Sequence, residues 1–181
     1  GKKNLKQMRK VPFQQLVDKS QTDTFWPVVD GHAIIDDQYK LYEAGQYNDV
    51  DILIGTNSDE GSLFAFPMPV EAYQKRVKDI YGDWADRLLE IYPATNEQEA
   101  CFALSDIFRD GSFAWGTYAW ANLQTKTGKG RVYMYYFDQD SENTILRSKR
   151  GGASHVAEMP FIYGFSFKGG RMTDTERHMQ I

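Results

Sequence analysis

Two apolar runs constrain this chain more than any other feature. Val50-Asp51-Ile52-Leu53-Ile54-Gly55 and Arg131-Val132-Tyr133-Met134-Tyr135-Tyr136-Phe137-Asp138 read as β-strands, and the interval between them reads as helix. Five of the six residues in the first run are β-branched, apolar or Gly. Such near-continuous apolarity predicts a strand buried on both faces, the habit of parallel sheets flanked by helices. Strands alternating with helical segments then predict an α/β layout with a parallel sheet.

The helical segments follow from spacing. Val70, Tyr73, Val77, Ile80 and Tyr81 fall on one face of a helix. Trp84, Leu88, Leu89 and Tyr92 repeat the pattern until Pro93 ends it, and Ala100, Leu104 and Ile107, with Cys101 and Phe108, mark another helix. Residues 112–127 are apolar on most sides and stop at Gly128, which predicts a helix in crowded surroundings with little of it in water. Before the first strand come a helical lead-in over residues 5–20 and a short extended run, Phe25-Trp26-Pro27-Val28-Val29. That run is closed by the turn pair Asp30-Gly31, and a short helix follows over residues 37–45. After the second strand, residues 139–152 read as a loop, and Thr173-Asp174-Thr175-Glu176 has capping-box spacing for a new helix. Two strands are convincing and three the most the sequence supports, which is thin for a parallel sheet. With 181 residues the expectation is one domain or part of one, and a helix opening so near the end reads as a cut end.

Composition removes several functions. With 21 basic against 25 acidic residues the net charge is −4, so the chain lacks the cationic field that phosphate backbones require, and no nucleic-acid partner is expected. The basic cluster Arg147-Ser148-Lys149-Arg150 reads as a solvated loop. No apolar run approaches the roughly 20 residues of a membrane span, and the first residues carry no leader-like apolar stretch. Cys101 is the only cysteine, which excludes an intrachain disulfide and a cysteine zinc site; its helical spacing makes it a small buried hydrophobe. Aromatic residues reach 14%, enough for a packed core or an aromatic-lined pocket. The compartment stays open.

Most motifs fail on inspection. There is no phosphate-binding loop of the Walker type, and Gly128-Lys129-Gly130 lacks both the third Gly and the strand–helix setting of a dinucleotide site. Asp138-Gln139-Asp140 opens like a calcium loop, then offers Asn143 where Gly is required and Lys149 where a bidentate Glu is required. The three histidines, His32, His155 and His178, have no metal-ligand spacing, so no metal and no organic cofactor is implied.

Two loops remain, each downstream of a strong strand: Gly55-Thr56-Asn57-Ser58-Asp59-Glu60-Gly61 and Gly151-Gly152-Ala153-Ser154-His155-Val156-Ala157-Glu158-Met159-Pro160. Functional groups of open α/β sheets gather beyond the carboxyl ends of strands. An acid after one strand and a histidine after a later one can therefore meet, in the chain order of an α/β-hydrolase triad. On spacing alone, a helix-capping Asp59-Glu60 and an ordinary loop histidine are the better account of the same residues.

Taken together, residues 25–31, 51–61, 133–137 and 152–164 resemble the type-B carboxylesterase family, the group of carboxylesterases, para-nitrobenzyl esterases and cholinesterases. The resemblance implies a single partial domain over residues 1–181, the C-terminal portion of an α/β-hydrolase fold cut at both ends, a mostly parallel sheet flanked by helices. It implies Glu60 as the triad acid, His155 as the general base, and Glu158 as a supporting carboxylate. Asp59, the neighbouring candidate, is expected to cap or to face solvent. The family carries Gly after its histidine, where this chain has Val156, and a β-branched residue there is costly if a positive φ is required. The nucleophile elbow Gly-x-Ser-x-Gly occurs nowhere; the near misses at residues 152–156 and 164–168 lack the final Gly.

The resulting expectation is part of a serine carboxylic-ester hydrolase acting on a small-molecule ester, inactive by itself for want of nucleophile and oxyanion hole. Its partner would be the missing N-terminal half of the same protein, with self-association of exposed sheet edges in its absence. Two alternatives stand beside it. One is a non-catalytic, esterase-like interaction or adhesion module. The other is a compact binding domain whose aromatic segment, residues 113–120, lines a groove.

Overall fold

The computed structural model describes residues 3–20, 27–140, 148, 150–164 and 174–178. Phe25, Trp26, Arg147, Lys149, Thr173 and residues 165–168 of the second near-miss motif lie outside them. Two units are distinguished, Gly1–Lys40 and Leu41–Ile181.

In the first unit, α1 (Leu5–Met8) is capped by Asn4, whose side-chain oxygen accepts the Gln7 N–H at 3.0 Å. Helix α2 (Phe13–Ser20) begins directly after Pro12, a residue suited to a helix start. Residues 27–29 form no strand, so the third strand is absent from the described residues; nothing there pairs with them, and Val28 and Val29 are exposed. The expected turn is present. Asp30 Oδ1 accepts the N–H groups of His32, Ala33 and Ile34 at 2.8–3.1 Å, and Gly31 takes a φ of +70°. A short helix, α3 (Gln38–Glu43), then ends before Gly45, also left-handed at +68°.

The second unit is built on strand β1 (Ile52–Asn57) and its crossover. A 3-10 turn (Ser62–Phe64) leads to α4 (Val70–Tyr81), α5 (Ala85–Ile91) and α6 (Glu97–Arg109). A π turn (Asp110–Ala114) then joins α6 to α7 (Trp115–Thr127), and strand β2 (Val132–Phe137) follows. The strands run parallel from Ile52 opposite Val132 to Asn57 opposite Phe137. Two aspartates fix that register. Asp49 accepts the Lys129 and Gly130 N–H groups at 2.7 and 3.0 Å, and Asp51 accepts the Arg131 N–H at 2.8 Å. Helix α6 starts on an Asn-x-x-Glu cap: Asn96 accepts the Glu99 N–H at 3.0 Å, and Glu99 reaches back to the Thr95 N–H at 2.7 Å. Short helices α8 (Met159–Tyr163) and α9 (Asp174–His178) close the chain.

The helical core is Tyr73 and Val77 of α4, Ala85 of α5, and Ala100, Ala103 and Ile107 of α6, with Cys101 buried as its spacing predicts. Ile80 and Tyr81 turn out of the α4 face into solvent. Two further expectations fail. Strand β1 is not buried on both faces: Leu53 is 72% exposed, and Tyr133, Met134 and Tyr136 of β2 are exposed too. The described sheet has two strands, and the helices described cover each of its faces only in part. Helix α7 is not crowded either, since Trp115 is 62% exposed and Tyr118 and Trp120 are also in water. Only a narrow stripe, Ala121 and Gln124, is buried, with the Gln124 amide donating to the Val50 carbonyl at 2.6 Å.

Helix α5 is tied to the π turn through Tyr92, whose hydroxyl donates to Asp110 at 2.7 Å. Burial, then the bond to Asp110 and the charge of that carboxylate, push the Tyr92 phenol up to about 12. A phenol whose folded value lies above its unfolded value contributes stability below about pH 10 and loses it as pH rises toward 12. The denaturation midpoint is therefore expected to fall across that window. Tyr92→Phe should flatten the alkaline fall while costing about 1 kcal/mol at neutral pH through the lost hydrogen bond; an unchanged alkaline slope in urea titrations would contradict this.

Candidate active site

Both candidate loops leave the sheet at the same end, because β1 and β2 are adjacent and parallel. Strand-like bonding continues past them: the Ser58 N–H donates to Phe137 and the Asp59 N–H to Ala153, each at 2.9 Å, and Asp59 bridges Ser154 in parallel. The Ala153 N–H donates to Ser58 Oγ at 2.8 Å. Gly152 is required here; its φ is +85°, and a Cβ would lie 2.4 Å from Ser58 Oγ.

This zipper brings Glu60 and His155 together. Glu60 Oε2 lies 2.6 Å from His155 Nδ1, and Glu60 Oε1 accepts the Asn57 N–H at 2.8 Å. An ionised carboxylate only accepts, so a neutral imidazole facing it carries its proton on Nδ1 and its lone pair on Nε2. Glu60 is 6% exposed, whereas the His155 side chain keeps 34% of its surface in water. The acid is enclosed and the base is reachable.

Asn57 and Glu158 stand behind this pair. The Asn57 amide donates to the Ser154 carbonyl at 2.9 Å and to Glu158 Oε2, so one residue holds the acid through its N–H and the histidine loop through its side chain. Tyr135 packs nearby, in the space left by Gly55. Burial and then the charges of Glu158 and Glu60 raise its phenol above the ordinary value. Val156 adopts a φ of +64°, the conformation a β-branched residue resists at a cost of about 1–2 kcal/mol. The turn it makes lets the Ala157 N–H return to the Ser154 carbonyl at 3.0 Å and directs the chain into α8.

Two expectations about charge are corrected. Asp59 neither caps a helix nor faces solvent: it is 1% exposed and accepts hydrogen bonds from Ser105 at 3.3 Å and Ser148 at 2.5 Å. The basic cluster is solvated only in part where it is described: Arg150 is an exposed residue, but its side chain is engaged. Ser148 is buried, and Arg150 donates to Asp106 of α6 at 3.0 Å and comes within 3.5 Å of Asp59.

Aromatic walls complete the site. The rings of Phe113 and Phe64 stand 4.9 and 5.7 Å from the imidazole, and Phe108 packs against both. The sequence places Phe113 on a crowded helix over residues 112–127; it lies instead in the π turn, beside His155, and π turns are frequent at functional sites. Among the described residues no group of three or more His, Cys, Asp and Glu side chains is arranged to hold a metal ion, and no helix is long and apolar enough to cross a membrane.

Comparison with known proteins gives a consistent relationship. The model of the Carboxylesterase family matches residues 2–181. Neuroligin-3 of Mus musculus is 24% identical over 173 residues, covering 80% of this chain and 20% of that protein. Fumonisin B1 esterase of Sphingopyxis macrogoltabida is 26% identical over 144 residues, covering 76% of this chain and 25% of that protein. A solved PNB esterase superposes with a TM-score of 0.70 at 22% identity, over 97% of this chain and 39% of the other, so the fold is part of an α/β-hydrolase. The chain spans about a fifth of the length of the curated relatives it matches.

Proposed function

The chain belongs to the carboxylesterase family, and on that premise we propose that it supplies the acid and the histidine of a Ser–Glu–His triad in a carboxylic-ester hydrolase. The observation that carries the reading is the 2.6 Å contact between Glu60 Oε2 and His155 Nδ1, on neighbouring loops past two adjacent parallel strands. With Nδ1–H held by Glu60, Nε2 is the nitrogen that takes the proton of a serine hydroxyl as its oxygen attacks the ester carbon. His155, now imidazolium, is stabilised by the enclosed Glu60 carboxylate and returns the proton to the departing alcohol. Water, activated by the same nitrogen, then releases the acid from the acyl-serine. Glu158 supports the histidine loop through Asn57.

The sequence lacks Gly-x-Ser-x-Gly, so the serine of this scheme lies outside residues 1–181. The test compares residues 1–181 with the same chain in its complete reading frame, on a short-chain p-nitrophenyl ester. Activity is expected only in the complete protein. His155-dependent turnover by residues 1–181 alone would contradict the scheme. Supplied alone, the chain is expected to associate through Leu53, Met134 and Tyr136 on its incompletely covered sheet, and a clean monomer in sedimentation at high concentration would oppose this. The second reading is a non-catalytic interaction module on the same fold. A complete protein that is folded, retains Glu60 and His155 and hydrolyses no ester would favour that reading.

A further inference from the structure

We propose that Asp59 and Arg150 form a positioning pair, in which the guanidinium holds a buried carboxylate and thereby fixes the register between Glu60 and His155. For its kinetic consequences this rests on the acid–base reading above; for its structural consequence it does not.

Asp59 and Glu60 are consecutive, both are enclosed, and each carboxylate needs compensation where water does not reach. Glu60 has the Asn57 N–H and His155. Asp59 has the hydroxyls of Ser105 and Ser148 and, as its paired cation among the described residues, Arg150 with Nε 3.5 Å from Oδ1. Arg150 is itself fixed. It grips both oxygens of Asp106 on α6, its guanidinium lies 5.4 Å from the Phe102 ring centre, and its N–H donates to Ser148 Oγ at 3.1 Å. Arg109, 2.7 Å from Asp106, shares that carboxylate and closes the cluster on the α6 side.

The geometry makes Asp59 a joint between three segments. Ser105 belongs to α6, Ser148 and Arg150 precede the histidine loop, and Asp59 leads directly into Glu60. Removing the cation leaves a buried carboxylate that relaxes most easily by moving the 58–61 loop toward water, and Glu60 travels with it. The Glu60–His155 contact then opens although neither residue has changed.

The test uses the complete protein labelled with ¹⁵N-histidine, with the His155 signals assigned by their loss in His155→Ala. In the unaltered protein, long-range ¹H–¹⁵N correlations should report an Nδ1-protonated tautomer. Arg150→Met and Asp59→Asn should both lose that pattern while circular dichroism stays native. The same variants should lower kcat by about 30–100-fold with KM within about threefold, because small displacements of a catalytic group cost that much. Arg150→Lys should restore part of both readouts, since it keeps the charge and loses the two-pronged grip. The double variant should fall short of the product of the singles. If Arg150→Met does not fold, Arg150→Lys and Ser148→Ala carry the same comparison with smaller expected losses.

A folded Arg150→Met or Arg150→Lys protein with an unchanged His155 tautomer and unchanged kcat would overturn the proposal. If the unaltered protein hydrolyses nothing, the esterase reading fails, and the imidazole signals still judge the pair.

Discussion

In the complete protein, Glu60→Gln is expected to lower kcat on a p-nitrophenyl ester by about 10⁴-fold, and His155→Ala by about 10⁴- to 10⁶-fold. The first figure follows from the two bonds that Glu60 makes. Its Oε1 accepts the Asn57 N–H, a demand that only the carbonyl oxygen of a glutamine can meet. The amide nitrogen is then left facing His155 Nδ1, which must accept rather than donate. The imidazole proton moves to Nε2, the nitrogen that has to receive the serine proton, and the base is lost with its geometry intact. Loss of the carboxylate charge adds to this, since the imidazolium no longer has a counter-ion beside it. Steady-state kinetics should show both effects in kcat, with KM little changed. A Glu60→Gln enzyme within tenfold of the unaltered one would refute the assignment of the acid.

Gly61→Ala is the second large effect expected. Gly61 has a φ of −92°, so its conformation suits any residue and the constraint is purely one of space. A Cβ there would lie 1.9 Å from the Ser105 carbonyl oxygen and 2.6 Å from its carbon, so either the acid loop or α6 must move. Forcing atoms into such a contact costs about 1–3 kcal/mol or more. The movement starts one residue from Glu60, so kcat should also drop by about 10²-fold. Gly116→Ala is the control: nothing lies within 4 Å of its added Cβ, and in the α7 interior alanine should raise stability by up to about 1 kcal/mol. Thermal unfolding of both variants separates the two outcomes. Equal stabilities would show that the acid loop does not press against α6.

The sequence carried the sheet because its strands are unmistakable locally: Ile52 to Ile54 and Val132 to Phe137 are β-branched or aromatic almost without interruption. It carried the meeting of Glu60 and His155 for a topological reason, since loops that leave adjacent parallel strands at the same end are neighbours. Burial was harder to read. Leu53 and Tyr136 look like core residues, but how far a sheet face is covered depends on elements far away in sequence. The burial of Asp59 was illegible for the same reason, as its partners Ser105 and Ser148 lie 46 and 89 residues further on. Arg150 read as one of four solvated residues because a charge run says nothing about which side chain meets a buried acid. The π turn escaped because periodicity arguments assume 3.6 residues per turn, and a single widened turn at residues 110–114 redirects Phe113 from the core to the imidazole.

If this chain contributes the acid and base, the nucleophile lies elsewhere in the protein. The position of the acyl group then decides the matter. The complete protein is mixed with p-nitrophenyl acetate, quenched during the burst, and its peptides are mapped by mass spectrometry. Acetylation of one serine outside residues 1–181 is expected, with the adduct nearly absent in His155→Ala. Acetylation of a residue within 1–181, or an adduct that forms equally well without His155, would contradict it.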